Sequence, residues 1–551
     1  MRLGAEGTGV YIFESSTVSI EHAPVVAVDG TCDLTMSFGL TQSESLTIGQ
    51  GEDSNGHVTV GPGRLESGDF LIGADGIGNF TIENGGTVVM TKNDGAFLIG
   101  ANAGGEGYVT VTGETGPSGK STLDLSRTGN PGAQPFLAVG ASGKGVLNVE
   151  DHALLRTQTA YIGLHQGSIG TVNLDEAGWV AFEIKVGDGG TGYFNASTNA
   201  AVASQDSVIG NSATGHGEVV LDHAFWTMDG SLAVGRDGGT GSLVIKNGGA
   251  VTFGMANDFL AIGIGNGSGT VEVTGVGSEL SVNKQDNFIT IGTSGPGELK
   301  VANSGVVKTP ELFLGDQAVV TVDSGGAIVI GQASTIAGAI HIGGGGRLDG
   351  SGGAIIGDLV NDGRVDGTIV FQGDTKNSVV NNGVMTGVIH LGDGDDIFDG
   401  SHGDKSGTIW GDAGDDVLIG SNGSDILYGD SGRDTLTGRA GKDTMSGGED
   451  SDRFVFNSIR DSVKGSKRDQ ILDFQPGIDL IDLQTIDAKK GSGNQAFKWI
   501  GKNGFHDKKG ELHYVHKGDG CIVQGDVNGD GKADFEIFVK IGSLAKGDFL
   551  L

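Results

Sequence analysis

Residues 411–456 read GDAGDDVLIGSNGSDILYGDSGRDTLTGRAGKDTMSGGEDSDRFVF and repeat glycine and aspartate every nine residues. In most repeats glycines stand at the first and fourth positions, an aspartate at the sixth and a large apolar residue at the eighth. An apolar residue at one fixed position of a short repeat indicates a side chain that points into a core at every turn. This stretch therefore predicts a repetitive β structure with carboxylates at its turns.

The spacing of the aspartates predicts a metal site. Two nine-residue turns make one coil, so we expect Asp416, Asp434 and Asp452 on one edge and Asp425 and Asp443 on the other. Carboxylates stacked about 5 Å apart repel one another, and a divalent cation reverses that repulsion. Carboxylates and the carbonyls of glycine turns are hard oxygen ligands that suit Ca²⁺. The predicted ligands of several Ca²⁺ ions are Asp396, Asp416, Asp425, Asp434, Asp443 and Asp452 with the turn residues Gly411, Gly414, Gly420, Gly423, Gly429, Gly432, Gly438 and Gly441.

These repeats resemble the RTX nonapeptide GGxGxDxUx. The resemblance implies a calcium-binding parallel β-roll of the kind found in proteins that bacterial type I secretion exports. Two repeats depart from the pattern, because Lys405 replaces the sixth-position acid and Asp450 replaces a fourth-position glycine. We therefore predict no calcium site at Lys405. A solvated acidic low-complexity segment is the alternative, and the apolar eighth position argues against it.

Two segments beyond the repeats, RDQILDFQPGIDLIDL at 468–483 and GDVNGDGKADFEIFV at 525–539, resemble the serralysin-type C-terminal domain. This resemblance implies that residues 457–551 cap the β-roll and carry a type I secretion signal. The chain ends with Asp548 and three apolar residues, as such export substrates do. The second segment has the first part of an EF-hand spacing, but Ile537 stands where a bidentate glutamate is required, so we predict no EF-hand.

The region from about 40 to 320 has a longer period. A phrase ending in an aliphatic residue and glycine, such as FLIG at Gly73 and LAVG at Gly235, recurs mostly every 23 to 29 residues. Alternating phrases such as GYVTV and GSLVI follow it and indicate strands with one buried face. One such unit cannot bury its apolar face alone, whereas stacked units can. We predict a right-handed parallel β-solenoid; a β-propeller or chained sandwiches would need longer, hairpin-rich units.

The solenoid phrases resemble repeats in the passenger regions of bacterial autotransporters, which implies a surface-exposed β-solenoid and no particular chemistry. The whole chain is predicted to be all-β. Its predicted domains are an N-terminal cap at 1–40, the solenoid at 41–390, the calcium-binding roll at 391–456 and the C-terminal domain at 457–551.

The composition of the chain limits the kinds of partner that it can bind. The chain of 551 residues has 105 glycines and a formal charge of −34, which argues against nucleic acid and anionic lipid and favours cations. The absence of an 18-residue apolar run argues against membrane insertion. No N-terminal signal peptide is evident, which a type I signal at the C-terminus would explain. We expect a secreted, extracellular protein, with retention at the cell surface as an option. Cys32 and Cys521 are expected to be two thiols rather than a disulfide framework.

Two functions remain open for the solenoid. The first is a binding module that associates with cell-surface or matrix polysaccharide, as in adhesion or biofilm formation. The second is a secreted exopolysaccharide glycanase or lyase, with Tyr161, Trp179, Tyr193 and Trp226 as sugar platforms unless they fill the core. Acids near these aromatics are Asp175, Glu176, Asp222 and Asp229, but no catalytic pair can be singled out. The chain has no HExxH motif, so a zinc protease is excluded despite the serralysin-like C-terminal region.

Overall fold

The protein is described by a computed structural model. The structure describes residues 2–3, 7–13, 18–19, 25–26, 30–36, 40–113, 119–126, 134–282, 284, 286–315, 317–331, 339–343, 346–355, 358–371, 376–404, 407–489 and 493–551. Lys405 and about half of the N-terminal segment predicted as a cap lie outside these residues.

The chain divides into two compact units, Met1–Val319 and Val320–Leu551. Most strands of both units pair in parallel with the next coil, which confirms the predicted all-β solenoid and roll. The parallel ladder of the first unit includes Gly7–Phe13 and Gly30–Met36. The domain boundaries at 41, 391 and 457 stay predictions.

A single coil of the first unit shows how the sequence builds the fold. Strand Thr240–Lys246 pairs in parallel with the equivalent strands of the previous and following coils. Its alternation buries Leu243 and Ile245 and turns the residues between them outward. Two further strands, Ala250–Phe253 and Phe259–Ile264, complete the coil in a second sheet. The apolar side chains of successive coils therefore stack into one continuous core.

One sheet of the first unit receives one strand from each coil, and the other receives the remaining strands. The first sheet contains Gly7–Phe13, Gly30–Met36, Asn55–Val60, Ile77–Ile82, Glu106–Thr112, Lys144–Glu150, Ile169–Asp175, Thr191–Ser197, His216–Asp222, Thr240–Lys246, Ser268–Thr274 and Gly297–Ala302. The second sheet contains Arg2–Leu3, Val18–Ser19, Val25–Val26, Leu40–Ile48, Arg64–Ile72, Thr87–Met90, Ala96–Ile99, Thr122–Leu125, Phe136–Val139, Leu154–Ile162, Gly178–Val186, Ala201–Ser204, Ser207–Ile209, Phe225–Met228, Leu232–Arg236, Ala250–Phe253, Phe259–Ile264, Glu279–Ser281, Phe288–Ile291, Val306–Thr309 and Glu311–Leu314.

The glycine that closes each aliphatic phrase makes the turn between the sheets. Gly235 has a φ of +72°, and a Cβ atom on it would collide with the carbonyl oxygen of Ser268 in the next coil. A side chain is therefore excluded both by the backbone conformation and by the close approach of the next coil. Positive φ recurs at the equivalent positions Gly49, Gly73, Gly100, Gly140, Gly163, Gly187, Gly210, Gly263 and Gly292.

Two tryptophans lie in the core of the first unit. Trp179 and Trp226 are 0% and 1% exposed, and both rings pack edge-on against Phe194. Their indole N–H groups donate hydrogen bonds to Thr157 at 3.1 Å and to Ser204 at 2.9 Å. The hypothesis that these two side chains form sugar platforms is wrong, because they fill the core. Tyr161 and Tyr193, the other two aromatics of that hypothesis, are partly exposed.

The second unit continues with shorter coils. One of its sheets contains Ala327–Ile330, Arg347–Ile355, Arg364–Phe371, Val384–Met385, Val388–His390, Thr408–Ala413, Ile426–Ser431, Thr444–Glu449, Asp469–Ile471, Lys498–Gly501, Glu511–Lys517, Gly520–Asp526 and Phe535–Val539. The other contains Ala339–Ile342, Asp358–Asn361, Ser378–Asn381, Ile397–Asp399, Val417–Ile419, Thr435–Thr437, Arg453–Val455, Leu480–Asp482 and Phe549–Leu550. A further strand, Ala318–Val322, includes the division between the units.

The nonapeptides form a roll in which repeats two apart lie side by side. Ile409 pairs with Leu427 and Leu427 with Met445 in one sheet, while Leu418 pairs with Leu436 in the other. The six apolar residues at the eighth position are fully buried: Phe398, Leu418, Leu427, Leu436, Met445 and Phe454. The inward direction predicted for these residues is confirmed.

The C-terminal segment closes the roll. Asp469–Ile471 and Leu480–Asp482 pair in parallel with the last strands of the two roll sheets. Glu511–Lys517, Gly520–Asp526 and Phe535–Val539 then form an antiparallel set. The helices in the described residues are two 3₁₀ turns, Gly465–Lys467 and Lys546–Asp548. Neither of these turns has the length or the apolar character of a membrane-spanning helix.

Candidate metal centre

The roll arranges the sixth-position aspartates in two columns, joined by hydrogen bonds from coil to coil. In the first column the backbone N–H of each aspartate donates to Oδ1 of the equivalent aspartate in the next coil. The donor–acceptor pairs are Asp396 to Asp416 at 2.8 Å, Asp416 to Asp434 at 2.9 Å, Asp434 to Asp452 at 3.0 Å and Asp452 to Asp479 at 3.1 Å. In the second column Asp425 donates to Asp443 and Asp443 to Asp469, both at 2.9 Å. The sequence predicts Asp416, Asp434 and Asp452 on one edge and Asp425 and Asp443 on the other, and the two columns contain these residues. That they bind calcium stays a prediction.

In six of these carboxylates the second oxygen has no hydrogen-bond partner in the protein. Among the residues that the structure describes, buried Oδ2 atoms without a hydrogen bond occur on Asp396, Asp416, Asp434, Asp443, Asp452 and Asp469. A buried carboxylate oxygen without a donor is unfavourable unless a proton or a cation neutralises it. Each of these six aspartates thus uses one oxygen to hold the coils together and presents the other to a buried space.

Burial raises the pKa of these carboxyl groups strongly. Burial, with added repulsion from Asp434 and Asp396, raises the pKa of Asp416 to about 8. Burial, followed by the neighbouring Asp469, raises the pKa of Asp443 to about 9. Burial likewise raises the pKa of Asp469 to about 8. The same cause acts on the pKa values of the other members of the first column, which rise to about 6 in Asp396, about 6 in Asp434 and about 7 in Asp452.

The first-position glycines allow a carboxylate oxygen and a carbonyl oxygen to come close together. A Cβ atom on Gly411 would collide with Oδ2 of Asp416 and would lie 2.8 Å from the carbonyl oxygen of Gly429. At the equivalent Gly420, a Cβ atom would lie 2.7 Å from Oδ2 of Asp425 and 2.8 Å from the carbonyl oxygen of Gly438. A carboxylate oxygen and a carbonyl of the next coil therefore converge where the glycine has no side chain.

This donor set fits a hard divalent cation. Carboxylate and carbonyl oxygens are the ligands that Ca²⁺ prefers. No group of three or more His, Cys, Asp or Glu side chains suited to a metal occurs within the described part of the chain. An ion in the roll would therefore need backbone carbonyls in addition to one or two aspartates, which the glycine turns supply.

The fourth-position glycines serve the close approach of the coils. Gly414 and Gly432 have φ values of +134° and +127°. A Cβ atom on either would collide with a carbonyl oxygen of the preceding coil, that of Gly394 or Gly414. Gly423 donates its N–H to Ser421 Oγ at 2.9 Å, and a Cβ on Gly441 would lie 2.7 Å from Asp443 Oδ1.

Asp425 differs from the six aspartates whose Oδ2 has no partner. Its Oδ2 accepts hydrogen bonds from the backbone N–H of Ser421 at 2.6 Å and from the hydroxyl of Ser421 at 3.0 Å. The serine at the second position thus satisfies the carboxylate within its own repeat. The two columns are therefore chemically unequal at this coil.

Two aspartates that the sequence analysis missed extend the columns into the capping segment. Asp469 accepts a hydrogen bond from Asp443, and Asp479 accepts one from Asp452. A sequence signal for them exists, because Ile471 and Ile481 follow them at the same two-residue distance that separates the sixth and eighth positions of a nonapeptide. Both isoleucines are fully buried, as the apolar residues of the repeats are.

The loop with an EF-hand-like spacing uses its carboxylates internally. Asp526 accepts hydrogen bonds from the N–H groups of Gly529 at 2.6 Å and Gly531 at 2.9 Å. Asp534 accepts one from Val527 at 2.8 Å. These contacts fix the turn with the protein's own donors.

Comparison with known proteins supports the assignment of the C-terminal region. A family model described as the serralysin C terminal of peptidase M10 matches residues 405–551. Such domains contain RTX-type repeats that bind calcium and are typical of type I secreted proteins. The match supports a secreted, calcium-binding repeat protein of the RTX type. A search of curated proteins found no match to the chain.

Proposed function

We propose that this protein is exported by type I secretion, folds its roll on extracellular Ca²⁺ and associates with cell-surface or matrix polysaccharide. The observation that carries the proposal of folding on Ca²⁺ is the set of six buried aspartate Oδ2 atoms without a partner. Without a cation these groups oppose folding, because they are buried beside one another. At the low Ca²⁺ of the cytosol the roll stays unfolded and able to pass an exporter, and outside the cell the binding free energy becomes folding free energy.

The folding proposal is tested by hydrogen exchange of the full-length chain at pH 8. We expect residues 391–456 to exchange freely in excess chelator and to become protected cooperatively as Ca²⁺ is added. Mg²⁺ is the matched control, because it demands a smaller octahedral shell and keeps its water more firmly. Equal protection in chelator and in Ca²⁺ would contradict the proposal.

The export proposal rests on the similarity of residues 405–551 to the serralysin C-terminal domain. We expect the full chain to reach the medium of cells that express a type I exporter and to remain inside cells that lack it. A variant with Phe549, Leu550 and Leu551 changed to aspartate should stay in the cell. Equal export of the variant would show that the signal lies elsewhere.

The polysaccharide proposal rests on charge. A chain of net charge −34 meets an acidic polysaccharide favourably only through bridging cations. We expect retention on immobilised alginate in Ca²⁺ and release by chelator. Retention that survives the chelator, or no retention in Ca²⁺, would refute calcium bridging.

A further inference from the structure

The second sheet of the first unit contains a groove with a volume of about 650 Å³. Gln42, Arg64, Glu66, Val89, Asp124 and Ser126 are among the residues that line it. The volume lies within the range of small-molecule sites, about 300 to 1,000 Å³. The groove belongs to a different unit from the aspartate columns, and neither the repeats nor the calcium proposal accounts for it.

The strand register places two carboxylates on either side of an apolar floor. Glu66 pairs with Val89, and Val89 pairs with Asp124 in the following coil. The two acids are therefore two strand spacings apart, about 9.6 Å between their Cα atoms. Val89 between them is short and partly exposed, so it leaves open space above an apolar surface.

Hydrogen bonds hold both acids in position. Glu66 accepts one from Arg64 Nε at 2.7 Å and one from Gln42 Nε2 at 2.8 Å. Asp124 Oδ1 accepts two from Ser126, from its N–H at 3.0 Å and from its hydroxyl at 2.6 Å. Polar groups fixed in this way lose little conformational freedom when a ligand binds.

The charge of the groove selects among ligands. Arg64 pairs with Glu66, and the lining also contains the acid Asp124, so the groove is weakly acidic. Two fixed carboxylates repel an acidic sugar. Because both Glu66 oxygens already accept hydrogen bonds, the groove also offers a cation few ligands. A neutral sugar ring fits, because its hydroxyl groups can donate to carboxylates while its C–H face covers Val89.

We propose that this groove binds a neutral pyranose oligosaccharide, with the ring over Val89 and hydroxyl groups directed to Glu66 and Asp124. This site goes beyond the calcium-bridged association and is independent of calcium. The two can therefore fail separately: chelator removes retention on alginate but leaves binding in the groove unchanged.

The test uses the full-length chain in Ca²⁺ and isothermal titration with three probes: cellohexaose, mannohexaose and a galacturonate hexamer. We expect at least one neutral hexaose to bind and the galacturonate to bind more weakly. Val89→Phe fills the floor of the groove and Asp124→Asn removes one carboxylate, and each should weaken binding at least about tenfold. The matched control is Val244→Phe, an outward position of equal burial on the other sheet, which should leave affinity within about twofold.

Circular dichroism and the melting temperature of each variant separate loss of the site from loss of the fold. Val89→Phe with unchanged spectra and lost binding supports the site. The proposal is overturned if neither neutral hexaose binds at millimolar concentration, if only the galacturonate binds, or if Val89→Phe and Val244→Phe have the same effect.

Discussion

Asp416→Asn is expected to have opposite effects with and without calcium. In the metal-free roll the pKa of Asp416 rises from its usual 3.8 to about 8, so the folded state at pH 7 keeps a proton that the unfolded chain releases. Taking up that proton at pH 7 costs about 4 kcal/mol. Asparagine is neutral, has the same shape and retains an acceptor for the N–H of Asp396. The substitution should therefore stabilise the metal-free roll by up to about 4 kcal/mol.

With calcium bound, the expected effect of Asp416→Asn has the opposite sign. The substitution removes the charged oxygen that faces the carbonyl of Gly429, so the affinity for Ca²⁺ should fall at least about tenfold, or about 1.4 kcal/mol. The same protein would thus fold more readily without the metal and respond less to it. A side chain with a purely structural role would lose stability in both conditions.

The assay is hydrogen exchange of residues 391–456 in the full-length chain, measured against pH in chelator and against Ca²⁺ at pH 8. Asp415→Asn is the matched control, because Asp415 carries the same charge next to Asp416 but its side chain is 40% exposed and paired with Arg433. We expect Asp415→Asn to leave the midpoint of the pH titration and the midpoint of the Ca²⁺ titration nearly unchanged. Equal shifts in the two variants, or a less stable metal-free Asp416→Asn, would refute the reasoning.

Three further predictions follow from the same contacts. The pKa values in the columns are raised, up to about 9 in Asp443. The metal-free roll should therefore be most stable below about pH 4 and lose protection from hydrogen exchange as the pH rises from 4 to 9. A flat pH profile of hydrogen exchange would contradict this prediction. Gly411→Ala should reduce Ca²⁺ affinity in calorimetry, because its Cβ fills the space beside the carboxylate, whereas Gly504→Ala, which meets no atom within 4 Å, should not. Trp179→Phe should cost about 1 to 3 kcal/mol in urea unfolding of the first unit, because it removes the hydrogen bond to Thr157 and leaves a void; an unchanged midpoint would place the indole outside the core.

The roll was predictable because its signals are local. Glycine at a crowded turn, an aspartate two residues before a buried residue and a nine-residue period each act within one repeat. Asp469 and Asp479 share the same short spacing, but a longer and irregular step separates them from the repeats. A search limited to the nine-residue period therefore misses them, although their backbone contacts continue the columns.

The sequence does not show whether the two tryptophans point into the core of the solenoid or out of it. Trp179 and Trp226 do lie in one column, since both pair with Val202. The strand GWVAFEIKV, however, has apolar residues on both faces, with Val180 and Phe182 each 50% exposed. The alternation of residue types therefore does not show which face of the strand is buried. Packing against Phe194 decides which face turns inward.

The residues of the groove are brought together by strand pairing between segments that are separated by unequal numbers of residues. Glu66 and Val89 are 23 residues apart, whereas Val89 and Asp124 are 35 apart because an insert lies in between. No constant period aligns these residues, so only the paired strands reveal that the two acids share a face. Long-range alignment of this kind is set by tertiary pairing rather than by local pattern.

The two oxygens of a column carboxylate have different roles, which explains why calcium and protons should compete in the roll. Oδ1 accepts a backbone N–H from the neighbouring coil, so the hydrogen bond that joins the coils does not use Oδ2. Oδ2 is buried without a partner, so it requires neutralisation by either a cation or a proton. Below the raised pKa values protons can satisfy this need, and calcium dependence of folding should fade; above them only a cation can. The roll therefore folds in response to calcium at the alkaline end of this range, because there the competing proton is lost.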